Sequence, residues 1–279
     1  MPEERAISEC DVAVVGAGIA GAYVAWQLST LRVPRLAAGL RELAEANGGR
    51  LRVALFESSH RIGGRLFSVS LPGLDGVKGE LGGMRFTSAH HRVMRLVDKF
   101  GLKFRPFRVA DPENRNLYYL RGQHFSEADW SRPDFVPPYR LERGERIRSP
   151  GSLLIEAALR HQPCLARCPE RYRNVGFWNL LLEEYSDQAY HLIRDAGGYE
   201  SLVGNWSAAD AIPFLLADFA QGLEYFALED GFQALPCRIA RAFEERGGRI
   251  VTGHALARID RDSAADRPSL RLTFHRNEA

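Results

Sequence analysis

The sequence predicts an α/β fold, α+β overall, and three observations predict it. A short apolar, β-branched run, Asp11-Val-Ala-Val-Val, leads into Gly16-Ala-Gly18-Ile-Ala-Gly21. The stretch after those glycines carries no breaker before Pro34 and reads as a helix. A second apolar run, Leu51 to Phe56, ends on the acid Glu57. Strand, glycine turn, helix, and a strand closed by an acid form the order of a Rossmann-like dinucleotide-binding unit.

The first strand, residues 10–15, is apolar and β-branched apart from Asp11, as a buried parallel strand should be. The helix over 19–30 stops at Pro34. Residues 36–46 predict a second, amphipathic helix closed by Gly48 and Gly49. That helix explains an unusual spacing. The ribose-binding acid sits about 20 residues past the glycines in the common motif, whereas Glu57 follows Gly21 by 36 positions. Residues 66–83 are glycine-rich and read as loop with short strands. A helix over 88–100 ends at Gly101. Strands are expected at 103–109 and 116–125, the second folding over Arg121-Gly122. Residues 129–150, rich in proline and charge, read as a connector. From Pro150 to Phe219 the periodicity is helical, with breaks expected at Pro163, Pro169, Gly197-Gly198 and Pro213. A helix over 231–245 and strands at 249–251, 255–259 and 270–274 complete the chain.

Composition narrows the function classes. A chain of 279 residues can bury a sizeable core in one or two domains. A net charge of +2 points to neither nucleic acid nor an anionic membrane as partner. Cys10, Cys164, Cys168 and Cys237 form no disulfide framework. Cys164 and Cys168 lie one helical turn apart, but no second ligand pair of zinc type follows, so no metal is expected. The apolar run from Val12 to Leu28 is interrupted by glycines and short for a membrane span. The start, Met-Pro-Glu-Glu-Arg, lacks the basic flank of a signal peptide. A cytoplasmic protein is the default expectation.

The glycines carry the first chemistry. Gly16 permits the tight turn, Gly18 lets backbone approach a pyrophosphate, and Gly21 lets the helix pack close to the strand. The helix N-terminus offers its unpaired N–H groups to phosphate. Glu57 is placed to accept from ribose hydroxyls. Arg61-Ile-Gly63-Gly64-Arg65 follows directly. Two glycines let a loop lie flat against a flavin or its phosphates, and a guanidinium suits a phosphate charge. A surface turn with two solvated arginines is the alternative.

Glu57-x3-Arg61-x-Gly63-Gly64-Arg65 resembles the signature of the flavin amine oxidases. Gly79-Glu-Leu-Gly82-Gly83-Met84-Arg85-Phe86 resembles the matching stretch of bacterial L-amino acid oxidases. The resemblance implies FAD as cofactor, with Gly16, Gly18, Ala20, Gly21, Glu57, Ser58, Arg65, Gly82, Gly83 and Met84 facing it. It implies that Arg85 binds the substrate's α-carboxylate. A planar guanidinium makes two parallel charge-assisted bonds to a carboxylate, which orients the substrate as well as holding it. An ion pair with Glu80 or another acid is the alternative for Arg85. Leu228-Glu-Asp-Gly231-Phe232-Gln-Ala-Leu235-Pro236 resembles the family's return to the cofactor domain. Gly253-His-Ala-Leu256-Ala-Arg-Ile259 resembles the strand whose backbone touches the adenine, with Leu256 at the touching position. Gly197-Gly198-Tyr199 and Asn205-Trp206 through Asp210 share the resemblance. Trp206, Tyr225 and Phe226 are candidates to line a pocket, with a core role open for each. Helix-capping or surface roles fit His90 and His91. His191 and His254 have no context that raises them.

The implied division is a first FAD-binding part (1–84), a partial substrate-binding sheet (85–145), a helical domain (146–222) and a returning FAD-binding segment (223–279). The implied reaction takes an L-amino acid and oxygen to the 2-oxo acid, ammonia and hydrogen peroxide. The alternatives are an amide-forming flavin 2-monooxygenase, an amine oxidase without carboxylate recognition, and a non-catalytic FAD-binding subunit. The resemblance covers about the first half to three-fifths of such an oxidase. None of Lys78, Lys99 and Lys103 stands where the family keeps its lysine near the flavin. A second chain or a cleaved C-terminal portion is therefore expected to complete the site, with a shortened sequence as the alternative; an oligomeric assembly is expected as well.

Overall fold

The computed structural model describes residues 9–31, 38–108, 116–146, 148–196, 206–219, 222–262 and 269–277. Expectations at Pro34, Gly197 to Tyr199 and Asn205 fall outside them. The chain divides into two compact units. One joins Met1–Phe107 with Tyr225–Ala279, and the other is Arg108–Glu224.

The first unit opens with β1 (Val12–Val15), α1 (Ile19–Thr30), α2 (Ala38–Ala46) and β2 (Val53–Phe56). The expected inserted helix is thus present as α2. β2 is buried along its whole length, as a strand covered on both faces must be. β1 pairs with it in parallel, Val12 beside Val53 through Val15 beside Phe56. Asp11 pins the start of β1. Its side chain is 1% exposed and accepts from the Arg52 backbone N–H at 2.7 Å, Arg52 Nη2 at 2.8 Å and Asn47 Nδ2 at 2.9 Å. Burial pushes this carboxyl up, but the Arg52 bonds outweigh it and hold it below the ordinary range. The short strands expected within the glycine-rich stretch are β3 (Ser68–Ser70) and β4 (Lys78–Glu80), paired antiparallel. β5 (Phe86–Thr87), α3 (His91–Lys99) and β6 (Phe104–Pro106) follow.

The second unit holds the hairpin β7 (Leu117–Leu120) and β8 (Gln123–Ser126), a 3-10 helix (Glu127–Ser131), α4 (Pro150–Arg167), α5 (Pro169–Arg173), α6 (Phe177–Glu184), α7 (Asp187–Ala196) and α8 (Ala208–Asp218). The hairpin turns over Arg121-Gly122, with φ of 47° and 81°. Two positive φ values match the twist of the flanking strands. Its core gathers Leu153, Leu154, Phe177, Leu181, Leu192, Ile193, Ile212 and Leu215.

Three expectations are corrected here. Residues 129–150 are not a mere connector, because Trp130, Tyr139, Leu141 and Glu145 are buried. Tyr139 stacks under the Arg121 guanidinium at 4.0 Å and donates to Asp195 at 2.9 Å. Burial, then the Asp195 carboxylate, pushes its hydroxyl up to about 12. Pro163 does not break α4, which runs unbroken to Arg167. The carbonyl it deprives of a helical donor belongs to Leu159, a residue 50% exposed, so water can satisfy it. Pro213 likewise sits inside α8 on its exposed side.

The chain then re-enters the first unit through β9 (Tyr225–Leu228), α9 (Ala234–Glu244), β10 (Arg249–Val251), β11 (His254–Asp262) and β12 (Ser269–Arg276). β10 pairs in parallel on the free side of β2, Arg249 beside Ala54. The parallel sheet is therefore β1-β2-β10, assembled from both ends of the chain as expected. β9 inserts between β5 and β6 in an antiparallel sheet. α1 packs against α9 and β2. Trp26, Leu55, Phe86, Val97, Leu235, Ile239 and Phe243 fill this core. Each such side chain contributes about 1.5–3 kcal/mol on full burial.

Candidate cofactor and substrate site

The glycine turn and the second glycine motif meet. Gly63 donates its N–H to the Ala17 carbonyl at 2.9 Å, and Gly18 and Gly63 form a parallel bridge. A Cβ on Gly64 would stand 3.1 Å from Gly18 Cα. A Cβ on Gly21 would reach 1.8 Å from the Gly16 carbonyl oxygen. The close approach that the motif requires is thus explicit in the backbone. Gly18 is the N-cap of α1 and supplies no side-chain cap, nor does the first turn hold an acid. Unpaired N–H groups at a helix start are the kind of site that suits an anion. Ala20 lies exposed in that turn.

Glu57 sits at the edge of this junction. Oε2 accepts from the Ala17 N–H at 2.7 Å. Oε1 accepts from Ser59 N–H and Ser59 Oγ, each at 2.8 Å, and from Ser58 Oγ at 3.2 Å. Burial pushes the carboxyl up, but these bonds together hold it below the ordinary range. These bonds hold the Glu57 carboxylate in one orientation. The backbone here is tied to the returning strand: His254 N–H reaches the Glu57 carbonyl at 2.8 Å and Gly253 N–H reaches Ser59 at 2.9 Å. Leu256 lies two residues further along β11, opposite Phe274, whose ring stacks on Phe56 at 4.4 Å. The structure thus brings Leu256 to the Glu57 edge.

The third segment joins through Arg65. Its carbonyl accepts the Gly83 N–H at 3.1 Å, and a Cβ on Gly82 would stand 1.8 Å from that same oxygen. The Arg65 side chain is exposed, and Met84 is 47% exposed. Arg85 follows at the mouth of β5. Its guanidinium lies over the Tyr225 ring at 4.9 Å and the Phe107 ring at 5.9 Å. Two aromatic faces restrict where that cation points. Glu80 spends both oxygens elsewhere, accepting from Ser68 Oγ at 2.7 Å and Phe232 N–H at 2.8 Å. Of the candidate aromatics, Tyr225 is with Arg85. Phe226 is packed between Phe86 and Phe104 in the core. Trp206 lies in the second unit, against Phe214 at 5.0 Å. His90 accepts the Thr87 N–H at 3.2 Å and precedes α3, a structural role.

Arg61, the first arginine of the second glycine motif, has a role that its spacing alone does not assign. Nη2 donates to the Gly64 carbonyl at 2.7 Å, and its plane stacks on Phe67 at 4.2 Å. Nη1 is buried with no hydrogen-bond partner among the described residues. A buried, unpaired guanidinium N–H beside a bare glycine junction calls for an acceptor. A pyrophosphate supplies one, so these residues fit a dinucleotide. The signal was present in the sequence as the first arginine of Arg-x-Gly-Gly-Arg. Among the described residues, no three His, Cys, Asp or Glu side chains are grouped to hold a metal, and no helix is long and apolar enough to cross a membrane.

Fold and junction together define a dinucleotide-binding protein of the βαβ class, with Arg85 just ahead of β5 beside the glycine loop. Comparison with known proteins makes the class particular. The family described as flavin containing amine oxidoreductase matches residues 36–278, and the chain belongs to it. Its cofactor is FAD. Aplysianin-A of Aplysia kurodai is 32% identical over 262 residues, 87% of this chain and 43% of that protein. The L-glutamate oxidase precursor of Streptomyces viridosporus is 35% identical over 153 residues, 51% of this chain and 21% of that one. The solved cyclohexylamine oxidase from Brevibacterium oxydans shares the fold, with a TM-score of 0.57 at 20% identity over 94% of this chain and 56% of that one. The chain spans less than half the length of the curated relatives it matches.

Proposed function

We propose that this protein serves the FAD-dependent oxidation of an L-amino acid by oxygen, giving the 2-oxo acid, ammonia and hydrogen peroxide. One observation carries the reading: Arg85 directly follows Gly82-Gly83-Met84, and its guanidinium rests on the Tyr225 ring at 4.9 Å. A cation there recognises the one group that amino acids have and simple amines lack. Similarity to an L-glutamate oxidase precursor supports the same choice.

Bound FAD supplies the two-electron acceptor between substrate and oxygen. The chain's own residues bind and orient. Gly16, Gly18, Ala20 and Gly21 present backbone to the pyrophosphate, and Arg61 Nη1 and Arg65 meet its charge. Glu57, with Ser58 beside it, would take the ribose hydroxyls, and Leu256 would meet the adenine. Gly82, Gly83 and Met84 would hold the flavin part. Arg85 clamps the α-carboxylate, which fixes the position of the α-carbon. No side chain is assigned as a general base. The four-part division at 84, 145 and 222 belongs to this proposal. So does completion of the site by further polypeptide, on the same chain or a second one. Val15 at 48%, Met84 at 47% and Leu81 at 67% exposure leave apolar surface near the junction for it to cover.

Arg85→Ala tests the reading. Truncating one partner of a buried charge pair costs roughly 2–5 kcal/mol, a loss of roughly 30-fold to several thousand-fold in kcat/KM for amino acids. Turnover of the corresponding amine, lacking the carboxylate, should be unchanged. Equal losses on both would refute carboxylate recognition. Peroxide and 2-oxo acid as products, against amide and carbon dioxide, separate an oxidase from a monooxygenase.

A further inference from the structure

Three segments distant in sequence are tied by one set of hydrogen bonds. They are the Gly63-Gly64 loop with Ser68, the Glu80 end of β4, and the Gly231-Phe232-Gln233 turn that opens α9. Ser68 Oγ donates to Glu80 Oε2 at 2.7 Å and accepts from Gln233 N–H at 3.1 Å. Phe232 N–H donates to Glu80 Oε1 at 2.8 Å. The Gln233 amide works at both ends: Oε1 accepts from Ser68 N–H at 3.2 Å, and Nε2 donates to the Ile62 carbonyl at 2.8 Å. The assignment of that amide is unique, because Ser68 N–H needs an acceptor and Ile62 a donor. Gly231, at φ 85°, is forced to be glycine, since a Cβ would stand 2.5 Å from Ser68 Oγ.

The target of Nε2 gives the clasp its meaning. Ile62 C=O and Gly63 N–H belong to a single peptide plane. Gln233 holds the carbonyl end, and Ala17 holds the N–H end at 2.9 Å. A plane pinned at both ends cannot rotate. That plane leads into the two glycines that abut Gly18 and carry Arg61 and Arg65 on either side. We propose that Gln233, oriented by Ser68 and Glu80, is a positioning residue that presets the FAD loop from the returning segment of the chain. The proposal rests on the reading that this loop holds FAD. Only an amide serves: a carboxylate would turn an oxygen toward the Ile62 carbonyl, and an apolar side chain would free the plane.

The test compares the purified full-length protein with Gln233→Leu and Gln233→Glu. FAD affinity is read by flavin fluorescence, the visible spectrum of bound FAD reports its surroundings, and the thermal midpoint of the FAD-free form reports the fold. Both variants should bind FAD at least tenfold more weakly and show an altered flavin band. Their FAD-free midpoints should stay within a few degrees of the parent. Ser68→Ala should weaken binding in the same direction by less. Should Gln233→Leu fail to fold, Gln233→Glu carries the comparison. Unchanged affinity and spectrum would overturn the proposal. A loss of affinity that only follows a fall in the FAD-free midpoint would overturn it too, leaving Gln233 structural. Should the parent protein itself take up no FAD, the flavin reading falls, and this one with it.

Discussion

Gly21→Ala and Gly39→Ala are the same substitution in two helices, and the structure assigns them opposite signs. Both glycines are helical, so alanine gains each about 1 kcal/mol of helix propensity. Among the described residues nothing lies within 4 Å of a Cβ added at Gly39, and the gain should stand alone. At Gly21 the Cβ would lie 1.8 Å from the Gly16 carbonyl oxygen and 3.0 Å from its carbon. Both obstacles are backbone, so no side chain can swing aside, and the turn itself must open by more than an ångström. Overpacking costs about 1–3 kcal/mol, and a backbone clash belongs at the upper end. Subtracting the propensity gain leaves a net loss of about 2 kcal/mol. For a protein of this size that lowers the thermal midpoint by about 4–8 °C, while Gly39→Ala should raise it by as much as about 2–4 °C. Thermal scans of the three proteins, with FAD titration alongside, make the comparison. FAD affinity should fall in Gly21→Ala alone. A Gly21→Ala protein that melts with or above Gly39→Ala would refute the close-approach account of the turn.

Arg61→Ala should weaken FAD binding roughly 10- to 100-fold, the value of a charge-assisted hydrogen bond to an otherwise unpaired group. Arg61→Lys should not restore it, because one ammonium cannot serve Gly64 and a phosphate together; full recovery by lysine in an FAD titration would count against the role. Glu145 is buried and accepts from Ser186 N–H at 2.8 Å, Ser186 Oγ at 2.7 Å and Glu142 N–H at 2.8 Å. Glu145→Ala should destabilise the second unit by roughly 2–3 kcal/mol, seen in urea unfolding, with FAD affinity unmoved. Glu57 has a depressed folded-state pKa, so its contribution is complete above the ordinary value of 4.5 and is lost as pH falls through the lowered one. The difference in thermal midpoint between parent and Glu57→Gln should be constant from neutral pH to about 4.5 and shrink below it. A difference that widens with acid would contradict the assigned hydrogen bonds.

Much of the nucleotide half was legible because its signals are local. A glycine turn needs glycine at fixed offsets, whatever surrounds it, and β1, α1 and β2 fall where the pattern placed them. The long gap to Glu57 resolved as an inserted helix for the same reason. Local rules failed where tertiary contacts outweighed them. Pro163 and Pro213 carry a strong local penalty, yet both helices continue, with buried faces on Leu153, Leu154, Ile212 and Leu215. Residues 129–150 have the composition of a linker, but Tyr139 and Glu145 find partners 41 to 56 positions away, at Ser186 and Asp195.

By itself the sequence determined the dinucleotide-binding class and the family resemblance, and it singled out Arg85 as the arginine proposed to meet a carboxylate. Each rests on residue types at short, fixed spacings, which backbone geometry translates directly. Only the tertiary structure decided what those residues lean on. It turned Glu80 from a rival partner of Arg85 into part of a clasp with Ser68 and Phe232. It set Tyr225 under Arg85 and left Arg61 with a buried N–H that has no partner among the described residues. Gln233 reaches Ile62 across 171 positions of chain. Contacts of that span depend on how a strand from each end of the chain meets β2, and no local pattern encodes them.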